Sequence, residues 1–211
     1  PMKLTVHLLL LSLCMPPAGS ADTSSTRQQL VATGQCVACD LGDADLAGLR
    51  LIGVDLSNAD LRGANLQGAI LYQARLSGAD LRGAALEGAS MARADMSGAD
   101  LTGMDLSNAR LLGVNLVGAQ LSGASLAGAY LTGAILDGAD LTGTNLRGAR
   151  LQRVSFRAAR MKGAALDEAV LRACDLSAAM ELSQATFKGA DLRQAVMQGQ
   201  DLTGVNLTDT R

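Results

Sequence analysis

The sequence predicts an all-β solenoid, and the main observation behind this prediction is a repeat of five residues. Every fifth residue from Leu41 to Leu176 is large and apolar, which gives 28 consecutive positions. A second run with the same step, from Leu182 to Leu207, brings the total to 34. A period of five fits neither an α-helix, with a period of about 3.6, nor a flat strand, with a period of about 2. The chain therefore has to be a stack of small repeats that share one core.

Each unit combines a small residue, a polar residue, a Leu, a variable residue and a Gly. The unit 59–63, Ala-Asp-Leu-Arg-Gly, is typical. In an extended segment the small residue and the Leu point to the same side, because one residue separates them. The Gly permits the sharp change of direction that ends each unit. The pattern predicts a packed interior of Leu and Ala with polar side chains outside.

This A-D/N-L-x-G unit closely resembles that of the pentapeptide-repeat family, and the resemblance covers residues 36–208. It implies a right-handed quadrilateral β-helix with one unit on each of four sides. The 34 units would then form about 8.5 coils. We expect this β-helix to occupy residues 36–211.

Residues 1–21 have the features of a secretory signal peptide. Lys3 precedes an apolar stretch from Leu4 to Met15, and small residues follow it. We expect cleavage after Ser20 or Ala21 and export to the periplasm or an equivalent lumenal or extracellular compartment. A membrane anchor is the alternative, but the apolar stretch is short for a membrane span.

Residues 22–35 break the repeat and predict a capping helix. Ser25 and Gln28 resemble a capping box, and Gly34 suits the end of a helix. A helix over about Ser25 to Thr33 would cover the first coil, whose edge would otherwise be exposed. A linker without regular structure is the alternative.

Cys36 and Cys39 stand at a Leu position and an Ala position of the first coil. In an exported protein we expect them either to form a disulfide or to remain as two buried thiols. Zinc is disfavoured because no further ligands lie nearby. A redox role is disfavoured because redox pairs of this spacing begin a helix. Cys174 lies too far along the rod to reach them and is predicted to replace a core Ala.

The step between Leu176 and Leu182 is six residues. Strict register would bury the charge of Glu181, so the extra residue predicts a bulge. After the last Leu no helix is predicted to cover the final coil. Such an end is either bare or paired with a second molecule, which makes a homodimer through the C-terminal end one expectation.

Any binding site has to lie on the outside, because the packed interior leaves no room for a ligand. Residues one coil apart should stack, and one such ladder is acidic: Asp40, Asp60, Asp80, Asp100 and Asp140, interrupted by Gln120 and Arg160. Some family members are thought to imitate DNA with such a line of charge when they bind topoisomerases. A solvated face that follows the repeat's own consensus is the simpler interpretation.

A second side is the candidate docking face, and it contains Arg50, Ile52, Ile70, Tyr72, Arg110, Leu112 and Tyr130. We expect it to carry most of the large apolar residues that point outward, and it includes both tyrosines of the chain. Such a surface favours protein docking. Scattered single apolar residues, which are ordinary on protein surfaces, are the alternative.

Basic residues are concentrated in a short stretch and predict a basic belt: Arg147, Arg150, Arg153, Arg157, Arg160 and Lys162. The stretch is about one coil long, so the belt would surround the rod instead of lining one face. This distribution does not favour nucleic-acid binding.

No catalytic constellation is present in the sequence, so we predict a protein that is not an enzyme and needs no cofactor or metal. The single histidine, His7, lies in the predicted signal peptide. The net charge of −2 gives no general reason to expect nucleic-acid or membrane binding.

We therefore predict an exported protein-binding or structural scaffold whose partner the sequence does not identify. The alternative is a cytoplasmic DNA mimic that inhibits or protects a type II topoisomerase such as gyrase. A thiol-redox enzyme using Cys36 and Cys39 is the least favoured interpretation.

Overall fold

Backbone pairing between residues 20 positions apart builds a β-solenoid. The computed structural model describes residues 23–211, and the predicted signal peptide of residues 1–21 lies outside the described residues. In the described part the β structure consists of isolated parallel bridges, such as Asp40 with Asp60 and Arg50 with Ile70. A tight turn follows each bridge, so the chain changes direction after every unit. The solenoid that the repeat predicts is confirmed.

Four ladders of bridges run along the rod, and we name each after a residue in its first coil. They are the Asp40, Asp45, Arg50 and Asp55 ladders. The face of a ladder means its bridge residues together with the residues two and three positions after each of them. Side chains on these faces point away from the core and are exposed or half-buried, except Asp191, which is buried.

The helix α1 (Thr23–Thr33) packs on the first coil. Its Leu30 is fully buried in the core. Arg27 Nε donates a hydrogen bond of 2.7 Å to the carbonyl oxygen of Asp45. At the end of the helix the Gly34 amide donates to the Leu30 carbonyl at 2.8 Å. The helix begins slightly earlier than its sequence predicts, and it covers the apolar end of the first coil.

The core is a stack of Leu side chains with small side chains between them. Leu61, Ala64 and Leu66, for example, are 0% exposed. Burial of a Leu contributes about 1.5–3 kcal/mol relative to leaving it exposed. Because the same contacts recur in every coil, stability is distributed along the rod instead of being concentrated in one centre.

Gly is replaced by other residues in more turns of the later coils than of the early coils. Most turns place a Gly in the left-handed backbone region, but Arg153, Ala158 and Ala173 occupy it with φ of 59°, 56° and 56°. A residue with a Cβ pays about 1–2 kcal/mol for this conformation. Several turns after residue 148 therefore keep the same backbone conformation although another residue replaces Gly.

The extra residue between the two runs of the repeat forms the predicted bulge. Glu181 is exposed with φ of 58°, and a 3₁₀ helix, Leu182–Gln184, follows it. Leu182 returns to the core and is 2% exposed. Beyond this point the bridges join residues 21 positions apart, as in Ala165 with Thr186. The bulge prediction is confirmed.

The last members of the predicted Leu ladder are not fully buried. Leu192, Met197 and Leu202 are half-buried, and Leu207 is 37% exposed. The reason is that no later coil of the described chain stacks on them.

One ladder is interrupted, and the sequence analysis did not predict this. The Asp45 ladder has no bridge between Ala85 and Asp105, whereas the other three ladders are continuous through the same coils. Among residues 23–211, no backbone hydrogen bond links the amides of Leu86 and Gly88 to the next coil. The segments 84–89 and 105–110 instead line a cavity of about 700 Å³.

Met104 gives a physical reason for the interruption. It stands directly before Asp105, at a position that is usually Ala, and it is only 4% exposed. A side chain much larger than Ala overpacks the small-residue layer and shifts the backbone. The neighbouring coils therefore separate along this one ladder.

Candidate docking surface

The predicted docking face is the Arg50 face. Its ladder stacks in the order expected from the sequence: Arg50, Ile70, Ser90, Arg110, Tyr130, Arg150 and Val170. Ile52, Tyr72 and Leu112 follow in the turns of the same face. The structure therefore brings all the predicted face residues together on one side of the rod.

Several large side chains of the Arg50 face are open to solvent. Ile52, Leu112 and Tyr130 are 45%, 47% and 38% exposed. Ile70 and Tyr72 are half-buried. Each exposed side chain lies on a flat ladder instead of in a cleft, so the surface suits a broad partner better than a small molecule.

The expectation that this side carries most of the outward apolar residues is wrong. Val117 and Ile135 are 40% and 42% exposed, and both lie on the Asp55 face. The five-residue period assigns a residue to a face, but it does not tell how far neighbouring side chains cover it. The Arg50 face therefore differs from the other faces in its aromatic and basic residues more than in its exposed apolar side chains.

The Arg50 face is basic. Five arginines lie on it within its first six coils: Arg50, Arg93, Arg110, Arg150 and Arg153. Its positions from Arg50 to Ala173 contain no Asp or Glu. None of the five arginines forms an ion pair with another residue of the described chain.

Two of these arginines contact the tyrosines. The guanidinium of Arg150 lies 4.9 Å from the centroid of the Tyr130 ring. Arg93 Nη1 donates a hydrogen bond of 3.3 Å to the Tyr72 hydroxyl oxygen. These contacts hold two positive charges in place without neutralising them.

The acidic ladder stacks as predicted, but its carboxylates stabilise their own turns. Asp40, Asp60, Asp80, Asp100 and Asp140 all belong to the Asp40 ladder. In each case one carboxylate oxygen accepts a hydrogen bond of 3.0–3.1 Å from the backbone amide two residues later. This contact is an Asx turn, which explains why the repeat prefers Asp or Asn at this position.

Arginines also neutralise the middle of the acidic ladder. Arg62 lies 2.5 Å from Asp60 and 3.7 Å from Asp80. Arg82 lies 2.5 Å from Asp80 and 3.2 Å from Asp100. Hydrogen bonds from Arg62 and Arg82 hold the pKa of Asp60 and Asp80, respectively, below the ordinary value of an aspartate. The ladder is an alternation of both charges and not an unbroken line of negative charge.

The basic residues of the predicted belt are distributed over all four faces of the rod. Arg147 lies on the Asp45 face, Arg150 and Arg153 on the Arg50 face, Arg157 on the Asp55 face, and Arg160 and Lys162 on the Asp40 face. Arg147 pairs with Asp167 at 3.2 Å. Arg150 and Arg153 lie on the same face as Arg50 and Arg110, so basic residues occur along most of that face.

The cysteines of the described chain either form a disulfide or lie in the core. Cys36 and Cys39 are joined by a disulfide, with 5.2 Å between their Cα atoms. Cys174 is fully buried, and its thiol donates a hydrogen bond of 2.7 Å to the Leu151 carbonyl. Burial raises the pKa of Cys174 to about 12. The prediction that Cys174 is a core residue is confirmed.

The described chain shows neither a candidate metal site nor a candidate membrane-spanning helix. Residues 23–211 contain no group of three His, Cys, Asp or Glu side chains placed to hold a metal ion. In the same residues no helix is both long and apolar enough to cross a membrane.

Comparison with known proteins identifies similar sequences and structures. The family described as Pentapeptide repeats matches residues 39–78, 74–113, 115–153, 149–180 and 181–211, with 8 copies. No curated protein matches the chain.

Three solved structures illustrate the similarity. HetL, a pentapeptide repeat protein involved in heterocyst differentiation regulation from the cyanobacterium Nostoc sp. strain PCC 7120, is 30% identical. The match covers 91% of this chain and 95% of HetL, with a TM-score of 0.43. A pentapeptide repeat protein from the Arabidopsis thaliana thylakoid lumen is 31% identical over 61% of this chain and 76% of its own, with a TM-score of 0.18. A trypsin-treated form of QnrB1, a plasmid-mediated fluoroquinolone resistance protein, is 23% identical over 84% and 89%, with a TM-score of 0.40.

Proposed function

The chain belongs to the pentapeptide-repeat family, and from this premise we propose that it is an exported, non-enzymatic scaffold that binds a protein partner. The observation that carries the proposal is the Arg50 face. It combines the exposed side chains of Ile52, Leu112 and Tyr130 with unpaired arginines. Aromatic residues and arginines are enriched in protein interfaces.

The finer description of the rod is part of this proposal. We take the solenoid to be a right-handed quadrilateral β-helix of about 8.5 coils, capped by α1. Pairing at a step of 20 residues with four ladders per coil supports this description. A rod of this kind presents a straight and rigid face. Little conformational entropy of the rod is therefore lost when a partner binds to it.

Export is supported by the features of residues 1–21 and by the disulfide between Cys36 and Cys39, since such bonds persist in oxidising compartments. The test is the intact mass of the protein in fractions of its native cell. A chain that lacks the residues up to Ser20 or Ala21, found in an exported fraction, is the expected result. A full-length cytoplasmic chain would contradict export.

The absence of catalysis is supported by the site chemistry. The one cavity described above, lined by 84–89 and 105–110, has no histidine or cysteine. The Cys174 thiol is buried and protonated at neutral pH, because its pKa is raised to about 12. In the cavity Ser107 lies beside Asp105, but hydrogen bonds from Ser107 lower the pKa of that carboxyl, which makes it a weak base for activating a hydroxyl.

A DNA-mimicking topoisomerase inhibitor or protector is the second candidate, supported by the stack from Asp40 to Asp100. The ion pairs of Arg62 and Arg82 weaken it, because they interrupt the negative line. A gyrase supercoiling assay tests this candidate. Inhibition or protection at stoichiometric protein would favour it over the scaffold, and the double variant Asp60→Asn with Asp80→Asn should then remove the effect.

Self-association through the last coil is a further part of the proposal. Leu192, Met197 and Leu202 are only half-buried there, and Leu207 is exposed. Burying such an edge against a second copy would remove apolar surface from water. Light scattering over a range of concentrations tests it, and a constant monomer mass would contradict it.

The docking function itself is tested by partner capture with the double variant Tyr72→Asp and Tyr130→Asp. A charge at each position should abolish capture, because both side chains belong to the proposed contact surface. The matched control is Val117→Asp with Ile135→Asp, which places two charges on the Asp55 face. The control should capture as the wild type does. Equal loss in both double variants would contradict docking through the Arg50 face.

A further inference from the structure

We infer that the Arg50 face binds a carboxylate-rich, extended segment of its protein partner. This inference rests on the proposed docking function and adds the chemistry of the partner to it. Three observations on this face carry it: the sign of its charge, the contacts that hold its arginines, and the spacing of its ladder.

The first observation is that the five arginines in the first six coils of this face have no internal counterion, whereas Arg172 in the next coil pairs with Asp191. Arg50, Arg110 and Arg150 belong to the ladder itself, and no carboxylate occupies the face between Arg50 and Ala173. On the Asp55 ladder, by contrast, Arg75 pairs with Asp55 at 3.5 Å. Unpaired arginines that share one face attract a partner of opposite charge and give the encounter its orientation.

The second observation is that tyrosines hold two of the arginines in place. Tyr130 lies under the guanidinium of Arg150 at 4.9 Å, and the Tyr72 hydroxyl accepts a hydrogen bond from Arg93. A guanidinium that is stacked on a ring keeps its N–H edge free for a bidentate contact with a carboxylate. Because the side chain is already ordered, less entropy is lost when that contact forms.

The third observation is the spacing of the charges along the rod. Arg110 and Arg150 are two bridges apart in one ladder, with Tyr130 between them. Adjacent rungs of a ladder are about 4.8 Å apart, which places these two arginines about 10 Å apart. Three residues of a polyproline II helix, an extended conformation with three residues per turn and a rise of about 3.1 Å per residue, span about the same length. Side chains three positions apart lie on one side of such a helix, so acidic residues with this spacing would meet both arginines.

A carboxylate-rich segment fits this face better than single-stranded nucleic acid does. Sequence-tolerant binding of single strands needs aromatic rings on which successive bases stack. The face has two tyrosines that are three rungs apart, and Arg150 already covers the ring of Tyr130. Carboxylates need no free ring and can use the guanidinium edges directly.

The experiment measures binding of a fluorescein-labelled oligoglutamate peptide by fluorescence anisotropy at low salt. The test variant is Arg110→Gln with Arg150→Gln, and the matched control is Arg62→Gln with Arg82→Gln, which removes the same charge from the Asp40 face. We expect the test variant to weaken binding at least about tenfold, because each lost guanidinium removes a charge-assisted contact. The control should change the dissociation constant by less than about twofold, and circular dichroism establishes that both variants are folded.

Three results would overturn the inference: no binding to the wild type, equal weakening in both double variants, or tighter binding of an oligothymidylate of the same charge. Its failure is distinguishable from failure of the docking function. If Tyr72→Asp with Tyr130→Asp abolishes partner capture while Arg110→Gln with Arg150→Gln does not change it, the face docks its partner without carboxylates.

Discussion

The guanidinium of Arg150 lies 4.9 Å above the ring of Tyr130, and the two residues are adjacent rungs of one ladder. The contact joins consecutive coils on the surface, where Leu packing cannot reach. It also places an ordered positive charge on the Arg50 face, one rung beyond the predicted docking residues. The two consequences can be measured separately, since one concerns stability and the other concerns binding.

For stability, we expect a coupling free energy of about 0.5–1 kcal/mol between Tyr130 and Arg150, the usual size of an exposed cation–π contact. A double-mutant cycle with Tyr130→Leu and Arg150→Gln, followed by chemical denaturation, measures it. Tyr72→Leu combined with Arg150→Gln is the control, because these residues are four coils apart and should be additive. Additivity in the test cycle would show that the stacked geometry has no energetic effect.

The Asx turns predict different effects for two substitutions of Asp80. Asp80→Ala removes the acceptor for the Arg82 amide and should lower the free energy of unfolding by about 1 kcal/mol. Asp80→Asn should cost less, because an amide oxygen can accept the same bond, as Asn65 does from Gln67 at 3.2 Å. Chemical denaturation at neutral pH compares the two variants.

The lowered pKa of Asp80 gives the same pair of proteins a pH dependence. A carboxylate whose pKa is lower when folded stabilises the fold above its unfolded pKa, about 3.9, and this contribution is lost as the pH falls through the folded pKa. Wild-type melting temperature should therefore drop between about pH 6 and pH 3 by more than that of Asp80→Asn. Identical pH profiles would contradict the role assigned to the Arg82 contact.

The positions of the described cysteines predict the thiol content of the chain if it is cleaved after Ser20 or Ala21, as proposed. Without reductant, a thiol reagent should find no reactive group in the folded protein and only Cys174 after unfolding. Three reactive thiols after unfolding would show that Cys36 and Cys39 are reduced. Because the loop that the disulfide closes is short, we expect Cys39→Ser to cost only about 2 kcal/mol.

The interrupted ladder predicts fast hydrogen exchange at one place in an otherwise protected rod. The amides of Leu86 and Gly88 donate no backbone hydrogen bond, whereas those of Leu66 and Gly68 do so at 2.8 Å. We expect exchange at the former pair to be at least about tenfold faster. In Met104→Ala the difference should shrink, since the smaller side chain lets the ladder close. Equal protection of the two pairs in the wild type would rule out the interruption.

The five-residue period was sufficient to predict the solenoid, the stacking of the ladders and the bulge at Glu181, because each follows from register alone. It was also sufficient to place Cys174 in the core. Register does not determine how neighbouring surface side chains interact. The pairing of Arg62 with two aspartates and the contact between Arg150 and Tyr130 depend on rotamers and on adjacent coils, which a single sequence does not reveal.

The interruption between Ala85 and Asp105 had a visible signal that the sequence analysis did not use. Met104 is a large side chain at a position that is usually Ala. Val114, Val154 and Leu49 also occupy that position, and the ladders next to them remain continuous. Leu49 is about as large as Met104 but only half-buried, so the effect depends on burial as well as size, which only packing in three dimensions shows.

Site-specific photo-crosslinking in the native cell tests most directly whether the Arg50 face docks a protein partner. A photoreactive residue replaces Leu112 on that face or Val117 on the Asp55 face, two apolar side chains that are 47% and 40% exposed. We expect a discrete crosslinked protein from position 112 alone, weakened when Arg110 and Arg150 are both changed to Gln. Crosslinks of equal yield from both positions, or from neither, would contradict the account.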